Sequence, residues 1–507
     1  MPSVKMNTAA NLSARLWTAV VHLAFVPLYV RYLGIEAYGL IGIFTSLLAL
    51  FTLLDLGLST TLNRELARFS ADPGAANKAR DLVRTLESLY WPAALLIGIV
   101  VALAAPFIAR DWVRADRLGV ATVQHAIALM GLTIGLQWPA SLYAGGLMGL
   151  QRQVLLACIN AGVATLRAVG AILVLAYYDS TIEAFFTWQA TASAVQTFAT
   201  GSALWLNLPR NQEPSRFRSS ILSEVWRLAA GVTAISALGV VLTQLDKVIL
   251  VKLLPLAEFG YYSLAGTVAT GLYFLIGPLF SALFPRFTQL VAQHDESGLR
   301  RLYHDGCQWM SVSLLPVAVV IALFSSELML LWTGDALLAE RSHVLLSLLV
   351  IGTALNGLMS LPAALQLAYG WTSLAIVTNL VAVAALVPII FVLTSRFGAA
   401  GGAAAWVMLN GAHVVLTLPL MHRRILRGEQ WRWYGIDVGL PLIAALVAAG
   451  GCRWLFDQLG AQGLPRLGLL ACLAAAGLVT AGAAAAAAPA VRGRVARAML
   501  GNGRLGV

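Results

Sequence analysis

Apolar residues along this chain come in long uninterrupted blocks, not in the alternation of a strand or the one-sided stripe of a soluble helix. About fourteen blocks of roughly 20 residues recur, each long enough to cross a hydrocarbon core as a helix. They predict spans at 12–33, 37–60, 86–109, 119–147, 154–177, 182–206, 226–253, 259–284, 304–331, 343–368, 371–394, 398–421, 434–456 and 466–490. The longest connections, around 61–85, 207–225 and 422–433, are too small to fold as domains, so any chemistry is expected among the helices. Continuous apolarity excludes a β-barrel, whose strands alternate over about ten residues. The expected fold class is an all-α polytopic membrane protein with about 14 transmembrane helices.

Composition agrees: 59% of the 507 residues are hydrophobic and 11% charged, under half the charge density of an ordinary soluble domain. The first block is span-length, carries Arg15 and His22 and lacks a small-x-small cleavage site, so it reads as the first span and not as a cleaved signal. Cys158, Cys307, Cys452 and Cys472 lie singly in apolar stretches without metal or redox spacing and read as packing residues. No Walker-type glycine loop is present, so ATP hydrolysis is not expected, and the sequence suggests neither a cofactor nor a metal.

A net charge of +11 acquires meaning once it is assigned to sides. On the fourteen-span pattern, 23 of the 34 Lys and Arg fall on the side of the N-terminus and nine on the other, leaving Arg167 and Lys247 inside spans. The positive-inside rule then places both termini in the cytoplasm. The basic residues become anchors to membrane lipids, and no nucleic-acid partner is needed.

Val30-Arg31-Tyr32-Leu33-Gly34-Ile35-Glu36-Ala37-Tyr38-Gly39 recurs as Val251-Lys252-Leu253-Leu254-Pro255-Leu256-Ala257-Glu258-Phe259-Gly260, with three identities and three similar pairs. Both copies join one span to the next, six spans apart, as in a parallel repeat of two six-helix halves. The expected divisions are 1–210 and 211–425 as the two halves, with 426–507 adding two helices and a basic cytoplasmic tail. Such a design suits a transporter whose halves rock about a midplane cavity.

Tyr32-Leu33-Gly34-Ile35-Glu36-Ala37-Tyr38-Gly39, then Leu54-Asp55-Leu56-Gly57-Leu58-Ser59, resembles the opening of Wzx-type polysaccharide flippases, part of the multidrug/oligosaccharidyl-lipid/polysaccharide exporter superfamily. Gln244-Leu245-Asp246-Lys247 and Glu258-Phe259-Gly260-Tyr261-Tyr262-Ser263 are similar to the start of that family's second half. The resemblance is clearest over 10–70 and 225–290. It implies a lipid-linked oligosaccharide on an undecaprenyl diphosphate carrier, a bacterial inner-membrane location and polysaccharide polymerase machinery as a partner. Many such flippases have twelve spans, while fourteen is the number in related lipid II flippases.

An ionisable group near the bilayer midplane costs on the order of 3 kcal/mol, so those present need a cavity or a partner. Arg167 lies mid-span, seven residues after Asn160 on the same face, and a guanidinium can grip a diphosphate through paired hydrogen bonds. Its alternative is a structural pair with Asp55 or Glu87. Arg15 and His22 share a face of the first span and could form a ladder for an anion; equally, Arg15 could snorkel and His22 pack. Lys247 is a second candidate anion site. Asp246 beside it points about 100° away, so simple mutual neutralisation is not expected. Asp55, Glu87 and Asp246 are the candidate coupling or structural acids. Proline and glycine within spans, at Pro27, Gly57, Pro139, Gly277, Pro278 and Pro362, offer bending points.

Three functions compete. A flippase for lipid-linked oligosaccharide suits a cavity whose acids are offset by Arg15, Arg167 and Lys247. A multidrug exporter would want an acidic, aromatic one. A membrane glycosyltransferase or polymerase would need a catalytic carboxylate on a large outer loop, and the loops are short; the chain is therefore expected not to be an enzyme.

Overall fold

In lipid every backbone polar group must be satisfied within its own segment, so continuous apolar blocks have little choice but to be helical. The computed structural model describes residues 4–70, 76–209, 215–218, 238–461 and 464–499, and among these there is no strand beyond an isolated Arg114–Pro255 bridge. Two compact units result, Met1–Gly260 and Tyr261–Val507.

Ten helical stretches among the described residues are long and apolar enough to cross a membrane, against the fourteen expected. Two of these, Ala10–Asp55 and Thr372–His422, have 46 and 51 residues, about 70 Å of helix at 1.5 Å per residue and more than twice a 30 Å core. Each contains a glycine with non-helical backbone: Gly34 (φ 82°) in Val4–Phe51 and Gly398 (φ 57°) in Thr372–Ala412. Without a Cβ these residues can occupy a region that would cost most others strain, and the chain can turn there. Ile182–Asn207 is 26 residues long but falls outside the ten, since two glutamines and four threonines dilute its apolarity. The expected 226–253 span is described only from 238, where it is helical.

The second expected span, 37–60, stops early. After Phe51 a 3-10 turn, Thr52–Asp55, leads into Leu56 and Gly57, both left-handed, and a new helix, Leu58–Phe69, sets off. Much of the connection expected at 61–85 is therefore helical, through Leu58–Phe69 and the start of Ala76–Phe107.

Within the first unit, Ala76–Phe107 packs on Val120–Gln137 through small residues: a Cβ on Gly135 would stand 2.7 Å from the Ala94 carbonyl oxygen, and one on Gly131 3.0 Å from that of Gly98. Such small-xxx-small contacts let backbones approach where lipid removes the hydrophobic drive for association. Val120–Gln137 also meets Ile182–Asn207, where the Thr197 hydroxyl donates to the Leu136 carbonyl at 2.6 Å. In the second unit the helix Glu296–Leu323 lies under Leu440–Gln458 and Arg466–Ala487, burying Val319, Phe324, Ala445, Phe456, Leu469 and Ala476 together.

Candidate functional site

The Gln153–Tyr177 helix carries Arg167 to the Ile182–Asn207 helix, where Nη1 donates to Gln189 Oε1 (3.2 Å) and Nη2 to Gln196 Oε1 (3.0 Å). The two glutamines are seven residues apart, hence on one face, and both reach the same guanidinium. Trp188 Nε1 donates to the Arg167 backbone oxygen (3.2 Å), and Gly170 leaves space for the indole. Neutral amides orient this cation without neutralising it. The ion pair considered with Asp55 or Glu87 is not formed, because both acids are occupied elsewhere.

Arg15 and His22, both exposed, stand on the helix that packs along Gln153–Tyr177. Asn11 Nδ2 donates to Gln153 Oε1 (2.8 Å) and Trp17 Nε1 to Thr165 Oγ1 (2.9 Å). These two contacts set the helices side by side over this length.

Asp55 closes the turn before Leu58–Phe69. Its Oδ1 accepts from the Tyr90 hydroxyl (2.5 Å) and Ser141 (3.3 Å), and Oδ2 from the Ser59 hydroxyl (2.7 Å). Glu87, buried in Ala76–Phe107, accepts from Tyr143 (2.9 Å) and Trp205 Nε1 (2.7 Å), with Arg84 at 3.5 Å. Both carboxylates are saturated by donors that fix one helix against the next.

Asp246 and Lys247 depart from expectation. Lys247 Nζ stands 3.6 Å from Asp246 Oδ1 and donates to the Thr243 carbonyl at 2.7 Å. Although the two Cα–Cβ bonds diverge, a four-carbon stem can curl along its own helix and bring the ammonium back to its neighbour. Lys247 thus enters with its counter-ion beside it, unlike Arg167.

Two polar clusters escaped the sequence reading. The buried Glu36 carboxylate accepts from the backbone N–H groups of Asp116 (2.6 Å) and Arg117 (3.1 Å). In the second unit the fully buried His304 ring lies between Asp437, bonded to Nδ1, and Glu429, 3.1 Å from Nε2. Gln308 donates to Asp437 (2.9 Å) while its Oε1 accepts from the Ala490 N–H (2.8 Å), and Arg300 pairs with Glu429 at 3.1 Å. These partners lie 80 or more residues apart along the chain and share no motif. Among the described residues no group of His, Cys, Asp and Glu could hold a metal ion.

The model of the family described as polysaccharide biosynthesis protein matches residues 4–291. A candidate O-antigen transporter of Shigella flexneri is 21% identical over 421 residues, covering 80% of this chain and 94% of that protein. Among solved structures, the lipid II flippase MurJ in an inward closed conformation superposes with a TM-score of 0.68 at 10% identity, covering 97% of this chain and 99% of that one. A multidrug resistance MATE family transporter of the MOP superfamily, inward-facing, gives 0.66 at 14% identity over 81% and 94%. At these identities the structural likeness establishes a shared fold.

Proposed function

The chain belongs to the polysaccharide biosynthesis protein family, and from that premise we propose that it is a flippase moving undecaprenyl-diphosphate-linked oligosaccharide across the bacterial inner membrane by alternating access. The observation that carries the reading is Arg167: a guanidinium within a span, oriented by Gln189 and Gln196 and offset by no carboxylate among the described residues. A diphosphate supplies the missing negative charge and the paired acceptors that suit the guanidinium fork. Arg15 and His22, on the neighbouring helix, extend the same anion-receiving surface, and Lys247 with Asp246 is assigned a secondary place. The relatives point the same way, one being a candidate O-antigen transporter and one a lipid II flippase.

The multidrug reading is weaker because Asp55 and Glu87, the acids that would attract an organic cation, already accept two or more hydrogen bonds each. We read the chain as a transporter without catalysis of its own, with fourteen crossings, halves at 1–210 and 211–425, two added helices in 426–507, both termini cytoplasmic, and polymerase machinery as the consumer of its product.

The test is a gene deletion in which undecaprenyl-diphosphate oligosaccharide and surface polysaccharide are quantified by lipid extraction and mass spectrometry. Lipid-linked units should accumulate and surface polymer fall. Wild type should restore both, whereas Arg167→Ala at equal membrane abundance should recover about ten- to a hundredfold less, since a charged hydrogen bond contributes about 1.5–3 kcal/mol. Unchanged lipid intermediates with new sensitivity to cationic drugs would replace this reading with the exporter.

A further inference from the structure

A tyrosine buried at membrane depth ordinarily gives its hydroxyl a partner, since phenylalanine fills the same space without the cost of an unmet polar group. Tyr29 is an exception. It is 7% exposed, and its ring stands edge-on to Phe185 with centroids 5.2 Å apart. Its hydroxyl makes no hydrogen bond among the described residues, yet it is not one of the enclosed polar atoms left unpaired, so the tip of the ring opens onto accessible space. Phe185 precedes Gln189 by four residues on the same face of Ile182–Asn207, one turn or about 6 Å away. Gln189 is one of the two amides that hold Arg167, and the Arg167 charge acts on the Tyr29 hydroxyl. On its own helix Tyr29 continues the heptad line of Arg15 and His22, both exposed, so three polar groups share one face of the span.

Resting on the flippase reading, we propose that Tyr29 is a binding residue of the anion site: its hydroxyl donates to one phosphoryl group of the diphosphate while the Arg167 guanidinium grips the other. The donor count fits two phosphoryl groups. A guanidinium has five N–H groups, and Gln189 and Gln196 engage one on each terminal nitrogen, so three remain for a ligand. These suffice for the paired oxygens of one phosphoryl group. The second phosphoryl group needs a separate donor, which Tyr29 supplies from the adjoining helix. Its hydroxyl is neutral and its ring is fixed against Phe185, so it adds direction without adding charge. A polyprenyl monophosphate has nothing to offer this second donor. Tyr29 therefore sets the preference of the site for a diphosphate carrier over a monophosphate one.

The full chain, in nanodiscs of phosphatidylethanolamine and phosphatidylglycerol, is titrated with radiolabelled undecaprenyl diphosphate and undecaprenyl monophosphate, and binding is read by scintillation proximity. Wild type is expected to bind the diphosphate about tenfold more tightly than the monophosphate. Tyr29→Phe keeps the ring and its packing, so its melting profile should match wild type. Its diphosphate affinity should fall about tenfold while its monophosphate affinity stays within about twofold. Arg167→Ala should weaken both ligands. Unchanged diphosphate affinity in Tyr29→Phe would show that the hydroxyl meets only water. Equal losses for the two ligands, or a lowered melting profile, would show a packing role, and each of these results overturns the proposal. Any of them alongside accumulated lipid-linked oligosaccharide in the deletion strain removes the Tyr29 assignment alone. A wild-type chain that binds neither ligand, in a strain without that accumulation, removes the flippase reading beneath it.

Discussion

Truncation of Asp437 to alanine strikes a fully buried carboxylate of the second unit. The carboxylate is fully enclosed, bonded to His304 Nδ1 and accepting from Gln308 Nε2 at 2.9 Å. Through Gln308 and the Ala490 N–H the same network reaches the Pro489–Met499 helix, so it fastens the C-terminal helices to Glu296–Leu323. Truncation leaves the Gln308 amide and the His304 Nδ1 enclosed without their shared partner, which costs about 1–3 kcal/mol for each. At 1.36 kcal/mol per decade the two together correspond to roughly a 30-fold to 10⁴-fold rise in the locally opened population. Cys452 and Cys472, half-buried on the two C-terminal helices and packed against the Val319–Phe324 cluster, report the opening. Maleimide alkylation of the purified protein, normalised to exposed Cys158, should accelerate at both by about two orders of magnitude. Asp437→Asn, which keeps shape and an acceptor, should accelerate it less. The double variant Asp437→Ala, His304→Ala should fall short of the summed single effects, as residues sharing one network do. Alkylation of Cys452 and Cys472 within about twofold of wild type in Asp437→Ala would refute the claim that this network docks the C-terminal helices.

Two further outcomes follow from capping geometry. Glu36→Ala leaves the Asp116 and Arg117 amides without their acceptor and should destabilise the first unit by about 2–4 kcal/mol, with Glu36→Gln intermediate; an unchanged melting profile of the detergent-solubilised protein would contradict this. Asp295, outside the spans, caps Glu296–Leu323, and the Gly298 N–H it accepts, followed by the Ser297 hydroxyl, holds its carboxyl below the usual range. A lowered folded pKa means that its contribution is present above the ordinary carboxyl pKa and lost as pH falls through the lowered value. The stability difference between wild type and Asp295→Asn should therefore shrink below about pH 4, and a constant difference from pH 7 to pH 3 would show that the charge contributes nothing.

The rhythm of apolar blocks identified the fold class because span length is set by bilayer thickness, a constraint that acts residue by residue. The breaks expected after residues 33 and 394 coincide with the non-helical Gly34 and Gly398, whereas the early stop of the second expected span at Leu56 and Gly57 was harder to read, because Leu56 adopts a left-handed backbone that its side chain does not announce. Arg167 was identifiable because an arginine in mid-span is costly wherever it sits, but Gln189 and Gln196, which aim it, depended on the pairing of two helices. Lys247 was misjudged because Cβ direction was taken for the position of the charge, and a lysine separates the two by four methylenes. His304, Asp437 and Glu429 stayed hidden for a different reason: each alone looks like a solvated residue near a span boundary, and only the fold shows that they are enclosed together.

Gly39 and Gly260 occupy the same position in the two copies of the repeated segment, as do Ile35 and Leu256. A Cβ on Gly39 would stand 2.6 Å from the Leu256 backbone oxygen, and one on Gly260 would collide with the backbone oxygen of Ile35. Each copy therefore places its glycine under the other's carbonyl, so that residue i meets j and j meets i. That is the rule of an isologous two-fold interface, realised inside one polypeptide. Around the contact the two copies differ, with Pro255 standing where the first has Gly34, while both keep the glycine on which the close approach depends.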